Sequence, residues 1–133
     1  MFRYNINRGP GYARQWGIEK TNHEWIMFID TGDIFLGRNS FNAITCAIEK
    51  YPEANIISFP YYYKDKIENE KSNRMHGKIY KRTFLDKYGI TFAPECSYLN
   101  EDIGFNRACR LCTEIIYENT PIIKWVEDEN SLT

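Results

Sequence analysis

The most distinctive hydrophobic pattern in the chain is the unbroken apolar segment Trp25 to Ile29. Five consecutive apolar residues predict a strand that is covered on both faces, as in the middle of a parallel sheet. The segment ends at Asp30-Thr31-Gly32-Asp33, where two carboxylates stand three positions apart. Ligands of open α/β sheets bind outside the carboxyl ends of strands, so this junction is either a ligand site or a solvated turn.

Other segments show helical periodicity or β-forming runs, and they are bounded by Gly, Pro, Asn or Ser. Four helices are predicted. The first covers 12–20, and the second begins at a cap on Asn39 or Ser40 and ends near Tyr51. The third covers 84–88 before Gly89, and the fourth begins at Glu101 after a cap on Asn100. The predicted strands are 25–29, 56–63, 76–81 and 122–126. Strands separated by helices predict an α/β sandwich with a mostly parallel sheet.

Two segments carry signals against regular structure. Pro60 lies in the middle of the strand predicted for 56–63, and it predicts an edge position or a bend there. The segment from Lys64 to Arg74 is the most polar part of the chain. It is predicted to be a mobile loop, with a lid as one role.

The composition fits one globular domain over residues 1–133, with 43% apolar and 26% charged residues. A net charge of −1 gives no electrostatic argument for nucleic acid as a partner. No apolar run is long enough to be a transmembrane segment, and no signal peptide is evident, so we expect a cytoplasmic protein. The four scattered cysteines are then expected to be reduced thiols. They are Cys46, Cys96, Cys109 and Cys112.

Four pieces of the chain, in this order, resemble family 2 glycosyltransferases with the GT-A fold. The first is 11–18, similar to the family's Ala-Arg-Asn-x-Gly helix, and the second is 25–33, similar to the strand that ends in its Asp-x-Asp metal motif. The third runs from 77 to 105 and includes Asn100-Glu101-Asp102-x-x-Phe105. The fourth is Asn130-Ser131-Leu132-Thr133, similar to the Gly-Ser-Ile-Thr that closes many members.

The resemblance implies a partial GT-A domain, a three-layer sandwich of the nucleotide-diphospho-sugar transferase type. Family members begin with further βα units that bind the nucleotide, and Met1 falls just before the helix that carries Arg14. Those units are therefore expected to be missing. We expect a C-terminal fragment, half of a split enzyme, or a remnant, with a partner chain or homo-oligomer completing the sheet.

The resemblance also implies a reaction. A sugar would pass, with inversion, from a nucleotide-sugar donor such as a UDP-sugar to the hydroxyl of a glycan or other acceptor. A divalent metal, Mn²⁺ or Mg²⁺, would be held by Asp33 and Asp30, because Gly32 occupies the motif's third position and has no side chain to coordinate. Asp102 matches the catalytic base.

Four residues are assigned to substrate binding by the same resemblance: Arg14, Asp30, Glu101 and His76. Arg14 lies near the donor, Glu101 orients a loop or the acceptor, and His76 touches the diphosphate. Each also has an ordinary structural explanation. In particular, acidic residues at 101 and 102 favour the start of any helix.

Two other functions stay open at this stage. The first is a non-catalytic glycosyltransferase-like remnant that serves as an interaction or oligomerisation module, which the missing nucleotide-binding half would explain. The second is a glycosidase that pairs Asp30 or Asp33 with Asp102 as acid and base. The glycosidase ranks last because nothing in the sequence selects water over a sugar hydroxyl.

Overall fold

The computed structural model describes residues 6, 8–68, 73–93 and 101–127, and these ranges form an α/β fold. The described helices are α1 (Pro10–Lys20), α2 (Arg38–Lys50), α3 (Arg82–Tyr88) and α4 (Glu101–Cys112). The described strands are β1 (Trp25–Met27), β2 (Ile34–Phe35), β3 (Ile56–Ser58), β4 (Tyr61–Tyr63), β5 (Lys66–Glu68), β6 (Lys78–Lys81), β7 (Ile116–Tyr117) and β8 (Ile123–Trp125). The segments Asn100 and Asn130–Thr133, and Cys96, lie outside the described residues.

The strands form two four-stranded mixed sheets, in the orders β1-β6-β3-β7 and β2-β8-β4-β5. Only β3–β7 and β4–β8 pair in parallel, while the other four described pairings are antiparallel. The prediction of a mostly parallel sheet is therefore wrong. Part of the reason is local, because no helix is described between β3 and β6, and parallel neighbours require a long crossover.

The position of β1 also differs from the prediction. Among the described strands β1 lies at the end of its sheet, where it pairs with β6 in antiparallel register. Its coverage on both faces is confirmed, because alternate side chains enter different hydrophobic clusters. Ile26 and Phe28 pack against one cluster, and Trp25 and Met27 against the other.

The core lies on the two faces of the first sheet. One cluster contains Tyr80 with residues of α1, α3 and α4, and the other contains Ile79 with residues of α2 and β8. Because neighbouring residues of β6 point to opposite clusters, the sheet is covered by helices on both sides. This is the sandwich architecture expected of an α/β domain.

The chain bends sharply at Phe59 and Pro60, as Pro60 predicts. β3 ends at Ser58 in one sheet, and β4 begins at Tyr61 in the other. The Phe59 N–H donates to the carbonyl oxygen of Gly77 at 2.8 Å. Gly77 has a φ of +72°, and a Cβ there would lie 2.2 Å from the Phe59 carbonyl oxygen, so the crossing requires glycine.

Two element boundaries correct the sequence expectations. Helix α2 begins at Arg38 after Gly37, with no side-chain cap, so Asn39 and Ser40 lie inside the helix. The polar segment predicted as a mobile loop contains β5, which forms a hairpin with β4. Lys64 and Asp65 form the turn of this hairpin at positive φ. Residues 69–72 lie outside the described part.

No helix in the described ranges is long and apolar enough to cross a membrane. Among the described residues, Cys46, Cys109 and Cys112 form no disulfide.

Candidate metal centre and active site

The turn after β1 and the approach to β6 bring three metal-ligating side chains together. One ligating atom from each of Asp30, Asp33 and His76 lies within 4.8 Å of the others. The Asp33 N–H donates to the Asp30 carbonyl oxygen at 3.0 Å, and this bond closes the turn between the two carboxylates. Gly32 has a φ of +99° inside the turn, a conformation that favours glycine. Gly32 therefore shapes the turn that presents Asp33.

Asp33 is the more buried of the two carboxylates, with a side chain only 2% exposed. Its Oδ1 accepts a hydrogen bond from the Val126 N–H at 3.1 Å. Its Oδ2 has no hydrogen-bond partner among the described residues, and it lies 3.7 Å from Nε2 of His76. Burial raises the pKa of Asp33, opposed by the Val126 hydrogen bond and reinforced by the negative charge of Asp30.

His76 is also buried, and neither ring nitrogen has a hydrogen-bond partner within the described structure. Burial lowers the pKa of His76 to about 4, although the charge of Asp30 acts in the opposite direction. The imidazole is therefore neutral near pH 7, the form that binds metals. Buried polar atoms without partners are rare in proteins, and an ion between Asp33 Oδ2 and His76 Nε2 would satisfy these two atoms. The residues present fit a divalent metal.

Arg14 connects this metal group to the start of α4. Its guanidinium contacts Asp30 Oδ1 at 2.6 Å through one nitrogen and Glu101 Oε1 through another. The side chains of Arg14 and Glu101 are 11% and 8% exposed. Burial alone would lower the pKa of Arg14, but the two carboxylates outweigh it and raise the pKa. Arg14 is therefore a charged bridge inside the fold.

Asp102 follows Glu101 in the first turn of α4 and is half-buried. Its Oδ1 accepts a hydrogen bond from the Ile103 N–H at 2.9 Å. Burial lowers the pKa of His76, and the negative charge of Asp102 opposes this lowering. Asp102 also adjoins Glu101, which Arg14 joins to Asp30. The structure thus gathers the residues selected from the sequence into one region. They are Arg14, Asp30, Asp33, His76, Glu101 and Asp102.

Two further residues of this region, Trp125 and Val126, were not predicted from the sequence. Trp125 stacks on the His76 ring, with centroids 4.3 Å apart and planes inclined by 28°. Val126 supplies the N–H that binds Asp33. Both residues lie at the end of the last predicted strand, 122–126. The sequence feature that could have selected them is that this strand, like β1, is followed by polar residues.

A cleft of about 400 Å³ runs between α1 and β1 and reaches Asp30, the exposed member of the metal group. Small residues of α1, Ala13 and Gly17, line one side, and the β1 segment lines the other. Arg14 and Asp30 also line it. The cleft therefore gives a ligand access to the charged end of the site.

The model of the family described as "Glycosyl transferase family 2" matches residues 1–102. The chain belongs to glycosyltransferase family 2. The matched residues contain all six site residues, and the family expected from the sequence motifs is confirmed. Comparison with curated proteins detects no relative.

Solved structures of Staphylococcus aureus TarS have the fold of this family 2 chain. TarS 1–349 superposes with a TM-score of 0.75 at 16% identity, covering 91% of this chain and 41% of that one. A longer TarS structure gives a TM-score of 0.77 at 16% identity, and the match covers 91% of this chain and 25% of that one. TarS 1–349 in complex with UDP-GlcNAc gives a TM-score of 0.75 at 15% identity, and the match covers 92% of this chain and 40% of that one.

The likeness confirms a GT-A fold, with mixed sheets. The chain spans less than half the length of each of these TarS structures. It corresponds to part of a GT-A domain, as the sequence resemblance implies.

Proposed function

We propose that this chain carries the metal-binding and catalytic groups of an inverting glycosyltransferase that uses a nucleotide-sugar donor. The proposal depends on the group formed by Asp30, Asp33 and His76, whose ligating atoms lie close together. Buried atoms of Asp33 and His76 lack hydrogen-bond partners among the described residues. Membership of family 2 supports glycosyl transfer in general. The TarS structures with UDP and UDP-GlcNAc support a UDP-sugar as the donor class.

The three side chains offer two carboxylates and one neutral imidazole. Carboxylates suit both Mg²⁺ and Mn²⁺, whereas an imidazole ligand favours the transition metal, so we assign Mn²⁺ to this site. When bound, the metal would neutralise charge on the donor diphosphate as it leaves. The Arg14 guanidinium holds one oxygen of Asp30 and leaves the other available.

Asp102 is the proposed general base. Its carboxylate takes the proton of the acceptor hydroxyl while that oxygen bonds to the anomeric carbon. The bond from the anomeric carbon to the diphosphate breaks on the opposite face, and its electron pair leaves with the diphosphate. Attack opposite the leaving group inverts the anomeric configuration. Glu101 is fixed by Arg14 and is proposed to orient the acceptor side of the site.

The direct test combines Mn²⁺ and UDP in calorimetric titrations of the whole chain. We expect Mn²⁺ to bind and to strengthen UDP binding. Asp33→Asn should weaken Mn²⁺ binding by at least about tenfold, because it removes an anionic ligand. Asp102→Asn should leave Mn²⁺ binding intact and abolish sugar transfer. Asp86→Asn, at an exposed position on α3, is the matched control.

Two results would contradict the proposal. One is a folded wild-type chain that binds neither Mn²⁺ nor UDP. The other is an Asp33→Asn variant that binds Mn²⁺ as tightly as wild type. Metal and nucleotide binding without transfer would show that this chain holds the donor and needs further residues for the reaction.

A second candidate function is a glycosyltransferase-like interaction module. It is favoured by the edge of β1, which has no strand partner opposite β6 in the described structure and borders the open cleft. Edge strands of this kind pair readily with another chain. A stable oligomer in sedimentation, lost when a proline replaces Met27, would support this function. A monomer over the whole concentration range would contradict it.

A further inference from the structure

The orientation of His76 has an unusual cause. Histidines that bind metals commonly donate their second ring nitrogen to a carboxylate or a carbonyl, and this hydrogen bond fixes the ring. No such bond is formed to His76 within the described ranges. Two aromatic rings contact it instead: Trp125 at 4.3 Å and 28°, and Tyr61 at 5.2 Å and 37° between ring planes. Stacking therefore sets the plane of the imidazole.

The end of β8 also acts on the second buried ligand. The Val126 N–H donates to Oδ1 of Asp33, so that Oδ2 is left to face Nε2 of His76 across 3.7 Å. Trp125 and Val126 are adjacent in the chain, and each holds one of the two buried members of the metal group. A single strand end thus orients both His76 and Asp33.

Trp125 is itself firmly held. Tyr63 stacks on it with ring centroids 4.3 Å apart and planes inclined by 24°. These two residues are direct neighbours in the parallel pairing of β4 with β8, and β2 pairs with β8 on its other side. The Arg74 guanidinium lies 5.0 Å from the centre of the Trp125 ring. An indole fixed in this way can fix the ring that stacks on it.

We propose that Trp125 is a positioning residue for metal binding, whose indole holds the His76 imidazole with Nε2 directed at Asp33. This inference rests on the metal binding proposed above, and it adds a part that the ligands alone do not reveal. An indole offers no ligating atom, so the role assigned to Trp125 is to position His76 and not to bind the metal.

The experiment titrates the whole chain with Co²⁺, whose visible absorption reports the geometry of its ligands. Trp125→Leu removes the stacking ring and should weaken Co²⁺ binding by about tenfold and change the absorption band. Trp125→Phe retains an aromatic ring and should restore both the affinity and the band. Trp16→Leu, on α1, is the matched control and should behave as wild type. Thermal unfolding of each variant shows that it is folded.

The possible outcomes separate this inference from the metal proposal. A wild-type chain that binds no Co²⁺ overturns both. Wild-type binding that is unchanged in affinity and spectrum in Trp125→Leu overturns the role of Trp125 alone. If Trp125→Leu does not fold, Tyr63→Leu removes the ring that supports Trp125 and should change the band in the same direction. An unchanged band in a folded Tyr63→Leu variant overturns the inference.

Discussion

At the scale of single residues, the chemistry depends on what burial does to His76 and Asp33. The residue pattern and the family resemblance together selected both residues: Asp33 follows an apolar strand, and His76 stands beside a glycine. The position of His76 in the structure differs from the sequence expectation. His76 was assigned to the diphosphate, whereas the structure places it among the ligand candidates with Asp30 and Asp33. Sequence alone does not show burial, and burial keeps the imidazole neutral.

The depressed pKa of His76 predicts acid sensitivity in metal-free protein. The unfolded chain binds a proton on His76 near pH 6.5, and the folded chain binds it only near pH 4. Stability from this group is therefore complete above pH 6.5 and is lost as the pH falls towards 4. Between pH 7 and pH 5 we expect a loss of about 2 kcal/mol in the free energy of unfolding.

Urea unfolding in EDTA at the two pH values measures this loss. His76→Phe retains an aromatic ring against Trp125 and cannot titrate, so it should show a loss smaller by about that amount. Asp33 has a raised pKa and changes stability with the opposite sign, which makes the matched comparison necessary. Equal pH dependence in wild type and His76→Phe would contradict a buried, neutral imidazole.

At the scale of elements, the sequence predicted the features that depend on residues close together in the chain. Helical periodicity and the residues that cap or end helices located all four described helices, Gly89 ends α3 in the left-handed conformation as expected, and Pro60 marks the bend. Strand pairing was not predictable in the same way, because register and direction depend on residues far apart in the chain. The apolar run of β1 indicates two covered faces, and it says nothing about which strand lies beside it.

The close approach of Gly77 to the backbone of Phe59 predicts that one added methyl group at Gly77 strongly destabilises the fold. Gly77→Ala should lower the free energy of unfolding by about 2–4 kcal/mol, because its Cβ would meet a backbone oxygen at a φ that disfavours alanine. It should also weaken Mn²⁺ binding, since His76 is the adjacent residue. Gly104→Ala, in α4 with open space around it, is the control and should stabilise by about 1 kcal/mol. Chemical denaturation of both variants tests the contrast, and a harmless Gly77→Ala would contradict the described crossing.

At the scale of the whole molecule, one ion-pair bridge joins distant parts of the chain. Arg14 of α1 contacts Asp30 after β1 and Glu101 at the start of α4, 87 positions later. The sequence resemblance selected all three residues without showing that they touch. The contact requires the complete tertiary structure, so no local pattern could have predicted it.

The Arg14 bridge predicts energetic coupling across the fold. Arg14→Met leaves the buried Glu101 carboxylate unpaired and should destabilise the chain by about 3 kcal/mol. Adding Glu101→Gln removes that charge and should recover part of the loss. A double-mutant cycle from denaturation curves measures the coupling, expected to be at least about 1 kcal/mol. Strict additivity of the two substitutions would contradict a bridge between Arg14 and Glu101.

Everything proposed for this chain depends on Asp30, Asp33 and His76 forming one metal site. The most direct measurement is pulsed electron paramagnetic resonance of the whole chain with one equivalent of Mn²⁺, which detects nitrogen coupled to the metal. We predict one bound Mn²⁺ per chain, with a histidine nitrogen signal that disappears in His76→Phe. Bound Mn²⁺ without nitrogen coupling, or a nitrogen signal that persists in His76→Phe, would contradict the account.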